Sequence, residues 1–173
     1  AVPDDAFTPR QSVTLDDEHG EAMIALTHAR AAVNEINADI LRQLSSADPI
    51  GWRKTLPQMV NVSTWVGYDL DGRSDINWTD SFRLRLREKN MALSAYERAV
   101  RDTKIEKLCP VADRLAVACA NTTQHLKAFE AFDVGESKFE TVMNALTGDP
   151  DRIVSSRALA EEIRQIAQDI TDE

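Results

Sequence analysis

The sequence predicts an all-α fold, and three observations carry that prediction. Only six glycines and six prolines occur in 173 residues, too few for a fold with many tight β-turns. Alanine, leucine, glutamate, arginine and glutamine are abundant, and these are good helix formers. Apolar residues also recur at steps of three and four over long stretches. We therefore expect long antiparallel helices joined by short connections, with one irregular motif loop.

The first segment, residues 1–13, is predicted to be an irregular lead. It contains Pro3 and Pro9 and has no apolar period. From residue 14 the pattern becomes helical and continues to residue 173, with an interruption at about 60–79. The chain is therefore predicted to form a single helical domain over 14–173, with a motif loop at about 60–79.

A long helix is predicted from Thr14 to Ser45 or Ser46. A hydroxyl side chain followed by acidic residues is typical of a helix start. Pro49 and Gly51 oppose any continuation of the helix. The apolar stripe of this helix consists of Ala22, Leu26, Ala29, Val33, Ile36, Ile40 and Leu44.

The middle of the chain is its least helical part. Residues 59–65 are β-prone and alternate in polarity, which favours a short strand or an extended segment. Residues 67–75 are rich in glycine and aspartate and predict turns.

Four further helices are predicted after this loop. They run from Thr79 to a stop or kink before Pro110, from about Val111 to Phe132, from about Ser137 to Leu146, and from Ser155 or Ser156 to Ile170. Alternating polarity at residues 83–87 leaves a strand open at that point, but the longer pattern through Val100 favours helix.

Charge and apolar runs limit the classes of partner. The net charge of −9 argues against duplex nucleic acid, which needs a basic face on the protein. The sequence contains no run of roughly 18 apolar residues, so no membrane span is predicted.

Two cysteines, Cys109 and Cys119, form neither a disulfide framework nor a metal motif, and both are expected to be buried thiols. A reducing, cytoplasmic setting fits this usage. His19 and His125 are read as ordinary helix-surface residues.

The aspartates of the loop raise the question of a calcium site. Placing Gly72 at the sixth position of an EF-hand loop leaves glycine and tryptophan at the first and twelfth ligand positions, so the calcium pattern fails. Turn capping is expected instead for the aspartates of the loop, Asp69, Asp71 and Asp75.

Three tryptophans flank or occupy the same region. Trp52, Trp65 and Trp78 would either line a pocket or anchor the loop onto neighbouring helices. Anchoring is the expected role, because an aromatic side chain beside a loop usually packs against its neighbours.

One segment resembles a known family. Residues 62–73 read V-S-T-W-V-G-Y-D-L-D-G-R, which resembles the S-W-M-G-G-D-R-D-G-N-P signature of phosphoenolpyruvate carboxylases. In that family, too, the motif follows a long helix and leads into another, and the resemblance covers about a hundred residues, as far as about Lys107. The matching residues are Trp65, Gly67, Asp69, Asp71 and Gly72.

The departures from the signature indicate a divergent member. Tyr68 stands at the second glycine of the family motif, Leu70 at its arginine, and Arg73 and Ser74 at its closing Asn-Pro. Leucine cannot replace the planar, permanently charged donor set of arginine. An anion-related role of the motif is thereby put in question.

The resemblance implies a lyase of carbon fixation, which converts phosphoenolpyruvate and bicarbonate to oxaloacetate and phosphate. Mg²⁺ or Mn²⁺ is implied for the parent enzyme. The family's T-A-H-P-T motif and G-R-G-G loop are not in this chain. The chain is therefore expected to be a segment of a larger helix-rich barrel enzyme and inactive by itself. It would hold no catalytic residue, metal ligand or cofactor, and its partner would be the remainder of the carboxylase; a homo-oligomer is also compatible.

Two alternatives stay open. The chain could be a stand-alone helical interaction or scaffold module without catalysis, or a degenerate paralogue that binds an anion without turning it over. The stretch from Phe82 to Leu108 carries eight basic residues against four acidic ones, which makes Arg83 and Arg87 candidates for anion binding. An acid-paired, solvated face is the commoner arrangement for such residues.

Overall fold

The computed structural model describes residues 13–55, 57, 59–133, 135, 138–148 and 152–171. These residues form five α-helices and no strand, so the all-α prediction is confirmed. The predicted lead lies outside them, apart from Val13. The helices are α1 (Leu15–Ala47), α2 (Trp78–Asp102), α3 (Cys109–Asp133), α4 (Phe139–Thr147) and α5 (Ser156–Thr171).

The chain divides into two compact units between Asn77 and Trp78. The first unit contains α1, a short 3₁₀ helix (Gly51–Lys54) and the motif loop, and the second contains α2 to α5 with a 3₁₀ helix at Glu106–Leu108. The single domain over 14–173 stays a prediction, since two compact units can belong to one domain.

A reciprocal cap starts α1, and it includes the hydroxyl cap that the sequence predicts. The Thr14 side chain accepts a hydrogen bond from the Asp17 backbone N–H at 3.2 Å. The Asp17 carboxylate in turn accepts from the Thr14 backbone N–H at 3.1 Å and from its hydroxyl at 2.7 Å. Orphan N–H groups at the helix start are thereby satisfied on both residues. The helix ends at Ala47, one or two residues beyond the predicted stop.

The apolar stripe of α1 is mostly half-buried. The buried residues of α1 are Met23 and His19, which lie outside that stripe, whereas Ile36 of the stripe stays 51% exposed. The surface position expected for His19 is therefore wrong, and the same holds for His125, which is buried on α3. Both histidines lie on the inward side of their helices, which the sequence pattern alone did not assign to them.

The predicted continuous helix from Thr79 to the region before Pro110 is wrong in its second part. α2 begins at Trp78 and ends at Asp102, and Lys104 adopts a left-handed backbone with φ of +55°. The Thr103 hydroxyl donates to the Val100 carbonyl at 2.7 Å and accepts from the Ile105 N–H at 3.3 Å. A side chain that bonds the backbone in this way competes with the helical hydrogen bonds and closes the helix.

The later boundaries agree with prediction to within two residues. α3 begins at Cys109 and ends at Asp133, and Pro110 is tolerated in its first turn because that turn needs no internal N–H donor. α4 and α5 end one residue beyond the predicted Leu146 and Ile170; Ser137 lies outside the described residues. Neither region offered as a strand forms one: 59–65 is irregular, and 83–87 lies within α2.

The second unit has its own apolar core. α2 and α3 pack together through a cluster that includes Leu93, Val100 and Leu115, joined by Leu159 from α5. A second cluster joins α2, α3 and α4 and contains Leu86, Phe129 and Val142. Burial of these side chains supplies the main favourable term for folding of this unit.

The two cysteines differ in environment. Cys119 is half-buried, and its thiol donates to the Asn90 side-chain oxygen at 2.8 Å. Cys109 is exposed at the start of α3, so its expected burial is wrong. Among the described residues, no helix is both long enough and apolar enough to cross a membrane.

Candidate functional site: a groove beside the motif loop

The motif loop is built from two tight turns in the first unit. The Trp65 carbonyl accepts from the Tyr68 N–H at 3.0 Å, and the Asp69 carbonyl accepts from the Arg73 N–H at 3.1 Å. Gly67 takes a φ of +86°, a conformation that side-chain-bearing residues rarely adopt. The first of the two matched glycines is thus explained by backbone geometry.

The second turn is closed by an aspartate side chain. The Asp69 carboxylate accepts from the Gly72 N–H at 3.2 Å, as the capping interpretation expects for an aspartate in a turn. A Cβ atom at Gly72 would lie 2.6 Å from this carboxylate. A glycine at position 72 therefore lets the carboxylate approach the backbone closely.

Arg73 ties this loop to α1. Its guanidinium donates to the Asp75 carboxylate at 3.0 and 2.6 Å and to the Glu18 carboxylate at 2.6 Å. These hydrogen bonds, first those to Asp75 and then that to Glu18, raise the pKa of Arg73 above its usual range. The same contact lowers the pKa of Asp75 below its ordinary value. Next to this cluster in the chain, Ile76 is buried.

An open groove of about 570 Å³ lies between the loop and α1. Part of the groove lining is apolar and part is charged. Trp65 belongs to this lining, and 80% of its surface is exposed. The remaining lining residues are Glu18, Glu21, Ala22, Ala25, Val66, Gly67, Asp69, Arg73 and Ile76.

The motif residues divide between this groove and the neighbouring turn. Trp65, Gly67 and Asp69 line the groove, whereas Asp71 and Gly72 are exposed in the turn beside it. All five therefore lie in one short stretch of the first unit, and three of them share one surface.

The loop-anchoring role expected for the tryptophans is wrong for Trp65, and the ring contacts of Trp78 lie among aromatic residues of the second unit. Trp65 is exposed, whereas Gly67 and Ile76 nearby in the chain are buried. Trp78 anchors α2 in the second unit, with its ring 6.0 Å from that of Phe129. Trp52 is half-buried, and the Arg53 guanidinium lies 5.2 Å from its ring centre.

Arg83 and Arg87 lie on α2 in the second unit and contact acidic side chains. Arg83 pairs with Asp80 at 3.1 Å, and Arg87 with Glu130 at 3.4 Å. These contacts are the acid-paired arrangement that the sequence analysis offered as the alternative. Anion binding by the two arginines stays a prediction.

The chemistry available in the groove is that of carboxylates, one guanidinium and an indole. Histidine and cysteine are absent from its described lining. Among the described residues, no group of three or more histidine, cysteine, aspartate or glutamate side chains is placed to hold a metal ion. The groove is thus equipped for recognition by charge and by an aromatic face.

The sequence singled out three loop residues that line the groove, Trp65, Gly67 and Asp69, but no residue of its helix side. Glu21, Ala22 and Ala25 gave no signal beyond ordinary helical periodicity. The partnership of Arg73 with Glu18 spans 55 positions, a separation at which a single sequence carries no readable pattern. Comparison with known proteins adds no relative to this account: no family model, no curated protein and no solved structure matches the chain.

Proposed function

We propose that this chain is a segment of a phosphoenolpyruvate carboxylase-like lyase, which converts phosphoenolpyruvate and bicarbonate to oxaloacetate and phosphate, and that it is not catalytically self-sufficient. The observation that carries the proposal is the position of Trp65. This aromatic residue of the motif is 80% exposed and faces an open groove, so it contributes little packing within its own unit. An exposed tryptophan beside a groove is available for contact with another part of a larger protein.

Further apolar exposure in the first unit supports the same proposal. Ile50, Met59, Val60 and Leu70 are all exposed, and they lie in or next to the irregular region around the motif. Exposed apolar side chains are available for contact with another part of a larger protein. In the proposed enzyme, the remainder of the carboxylase covers these side chains.

The proposed enzyme needs catalytic groups that the remainder of the parent would supply. Stabilising an enolate requires a divalent metal, and binding a phosphate requires cations. The proposal assigns Mg²⁺ or Mn²⁺ and the catalytic histidine and arginine groups to the remainder of the parent. This chain contributes helices and the loop with Trp65, close to the bicarbonate. The enzyme would act in the cytoplasm, as a monomer or a homo-oligomer.

Reading the parent coding frame on both sides of this chain is the first test. The proposal expects a T-A-H-P-T motif upstream and a G-R-G-G loop downstream. A frame that lacks both would contradict it as a catalytic claim.

The second test is carboxylation by the full-length parent, followed by coupled reduction of oxaloacetate with NADH. Trp65→Ala should lower the rate, while Trp52→Ala serves as the control, because Trp52 is a half-buried tryptophan of the same unit outside the groove. Equal rates for Trp65→Ala and the unsubstituted parent would remove Trp65 from the proposed role.

A stand-alone interaction or scaffold module is the second candidate function. The core of the second unit favours it, since Leu115, Phe129 and Val142 are almost fully buried and belong to clusters formed by helices of that unit. In this case the isolated chain should melt cooperatively and bind little of a dye that reports exposed apolar surface. Substitution of Trp65 would then change partner binding and leave every carboxylation assay unaffected.

A further inference from the structure

We propose that the groove beside the motif loop binds a basic segment of a protein partner. An arginine or lysine side chain of that segment would lie along Trp65, with its charged head against Glu21 and Asp69. The inference goes beyond the carboxylase proposal and rests on the groove residues of the first unit, so it stands whether or not the parent carboxylates phosphoenolpyruvate.

The charge of the groove favours a cation. Three carboxylates line it, those of Glu18, Glu21 and Asp69, against the single guanidinium of Arg73. Arg73 is already engaged by Glu18 within the groove and by Asp75 beside it. Its charge is therefore offset, and the lining keeps an excess of negative charge that complements a basic side chain.

The carboxylates retain the means to accept further hydrogen bonds. Asp69 gives one oxygen to the Gly72 N–H, and an ionised carboxylate has about four acceptor positions. Glu21 is exposed on α1 at the groove. Both side chains can therefore meet a guanidinium or ammonium group without giving up the contacts that hold the loop.

The apolar part of the lining fits the stem of the same side chain. Ala22 and Ala25 are small residues one turn apart on α1, and Ile76 is buried on the loop side. Lysine and arginine lay their methylene stems along such surfaces and keep their charge in water. The exposed ring of Trp65 supplies an aromatic face, which attracts a cation within about 6 Å of its centre.

This lining favours a basic side chain over an anion or a purely apolar segment. An anion would meet an excess of carboxylates and an arginine that is already paired. A purely apolar segment would leave those carboxylates facing it without a partner, which is unfavourable when water is displaced. A side chain with an apolar stem and a positive end satisfies both parts of the groove.

The test uses the full chain and follows the three tryptophan indole N–H signals by NMR, with Trp65→Phe to assign the Trp65 signal. The probe is the peptide acetyl-Gly-Arg-Ala-Arg-Gly-amide. The control peptide carries citrulline, which has the shape of arginine without its charge. The Trp65 signal should shift with the arginine peptide. The affinity of the citrulline peptide should be lower by a factor of about five.

Two charge-neutralising variants make the test specific. Glu21→Gln should weaken the arginine peptide about two- to fivefold, as expected for loss of one exposed ion pair. Glu35→Gln removes an exposed acidic residue of the same helix outside the groove and should leave the affinity unchanged. Equal weakening by both variants would indicate general electrostatic attraction and overturn the proposal. Equal binding of the two peptides, no shift of the Trp65 signal, or displacement of the peptide by magnesium chloride at matched ionic strength would also overturn it.

Discussion

The Arg73 guanidinium lies 2.6 Å from the Glu18 carboxylate, although 55 positions separate the two residues. About a third of each side chain is exposed, so water reaches the pair. The contact joins the end of the motif loop to the first turn of α1, and it forms one side of the groove.

Replacing Arg73 by glutamine should loosen the motif loop. The variant loses the charge-assisted hydrogen bonds to Glu18 and Asp75, and the backbone N–H of Arg73 should then exchange with solvent severalfold faster. Hydrogen exchange followed by NMR measures this directly. Arg42→Gln is the matched control, because Arg42 pairs with Asp39 on the exposed face of α1. Equal exchange at residue 73 in the unsubstituted chain and in Arg73→Gln would contradict the holding role.

The pKa of Asp75 should depend on Arg73. Hydrogen bonds from Arg73 lower the pKa of Asp75, so the folded chain favours the ionised carboxylate. The resulting stabilisation is fully present above the unfolded-state pKa of about 3.9 and is lost as the pH falls through the lowered folded-state pKa. A carboxyl-carbon NMR titration should give a pKa below that of an ordinary aspartate. In Arg73→Gln the value should return towards the ordinary one, and an unchanged value would contradict the assigned cause.

The cap at Thr14 should contribute measurably to α1. Thr14→Ala removes the oxygen that accepts from the Asp17 N–H, and such changes cost about 1 kcal/mol. Thr14→Ser keeps the oxygen and should recover most of that loss. Hydrogen exchange in the first turns of α1 provides the measurement, because it reports this unit separately from the second. Equal exchange in the alanine and serine variants would show that the oxygen does not act as a cap.

The sequence predicted those helices whose ends carry a local chemical signal. Thr14 with Asp17 gives a capping box, and Gly148 follows the end of α4, so both ends could be read directly. The end of α2 could not be read in the same way. Periodicity continued through Leu108, and the break coincides with two hydrogen bonds of the Thr103 hydroxyl and with the left-handed backbone of Lys104. Threonine is common inside helices, so its presence predicts no break.

The site was predictable on its loop side for a similar reason. Gly67 and Asp69 belong to residue types that favour turns, and they could be placed from the sequence. The outward position of Trp65 could not, because it depends on which neighbouring side chains fill the interior of the unit. Val66 is half-buried and Ile76 is buried, and Ile76 lies eleven positions beyond the tryptophan. The separation of Glu18 from Arg73 is longer still.

The aromatic cluster of the second unit should depend on Phe129 far more than on Phe139. Phe129 is 1% exposed and contacts Trp78, Phe82 and Phe132, whereas Phe139 is 52% exposed. Phe129→Ala should lower the free energy of unfolding of this unit by about 3–5 kcal/mol, because it leaves a cavity. Phe139→Ala should cost about 1 kcal/mol or less. Denaturant unfolding followed by near-ultraviolet circular dichroism measures both, and equal losses would contradict the burial difference.

Substitution of Trp65 distinguishes a role in stability from a role in contact with another molecule or segment. Its side chain is 80% exposed, so Trp65→Ala should change the free energy of unfolding by no more than about 0.5 kcal/mol, as is usual for exposed positions. Ile76→Ala, at another residue of the groove lining, removes a buried side chain and should cost about 2–5 kcal/mol. Thermal melts and hydrogen exchange of both variants give the comparison. If Trp65→Ala destabilised the first unit as strongly as Ile76→Ala, the tryptophan would be a packing residue, and both proposals that use its exposed ring would lose their main support.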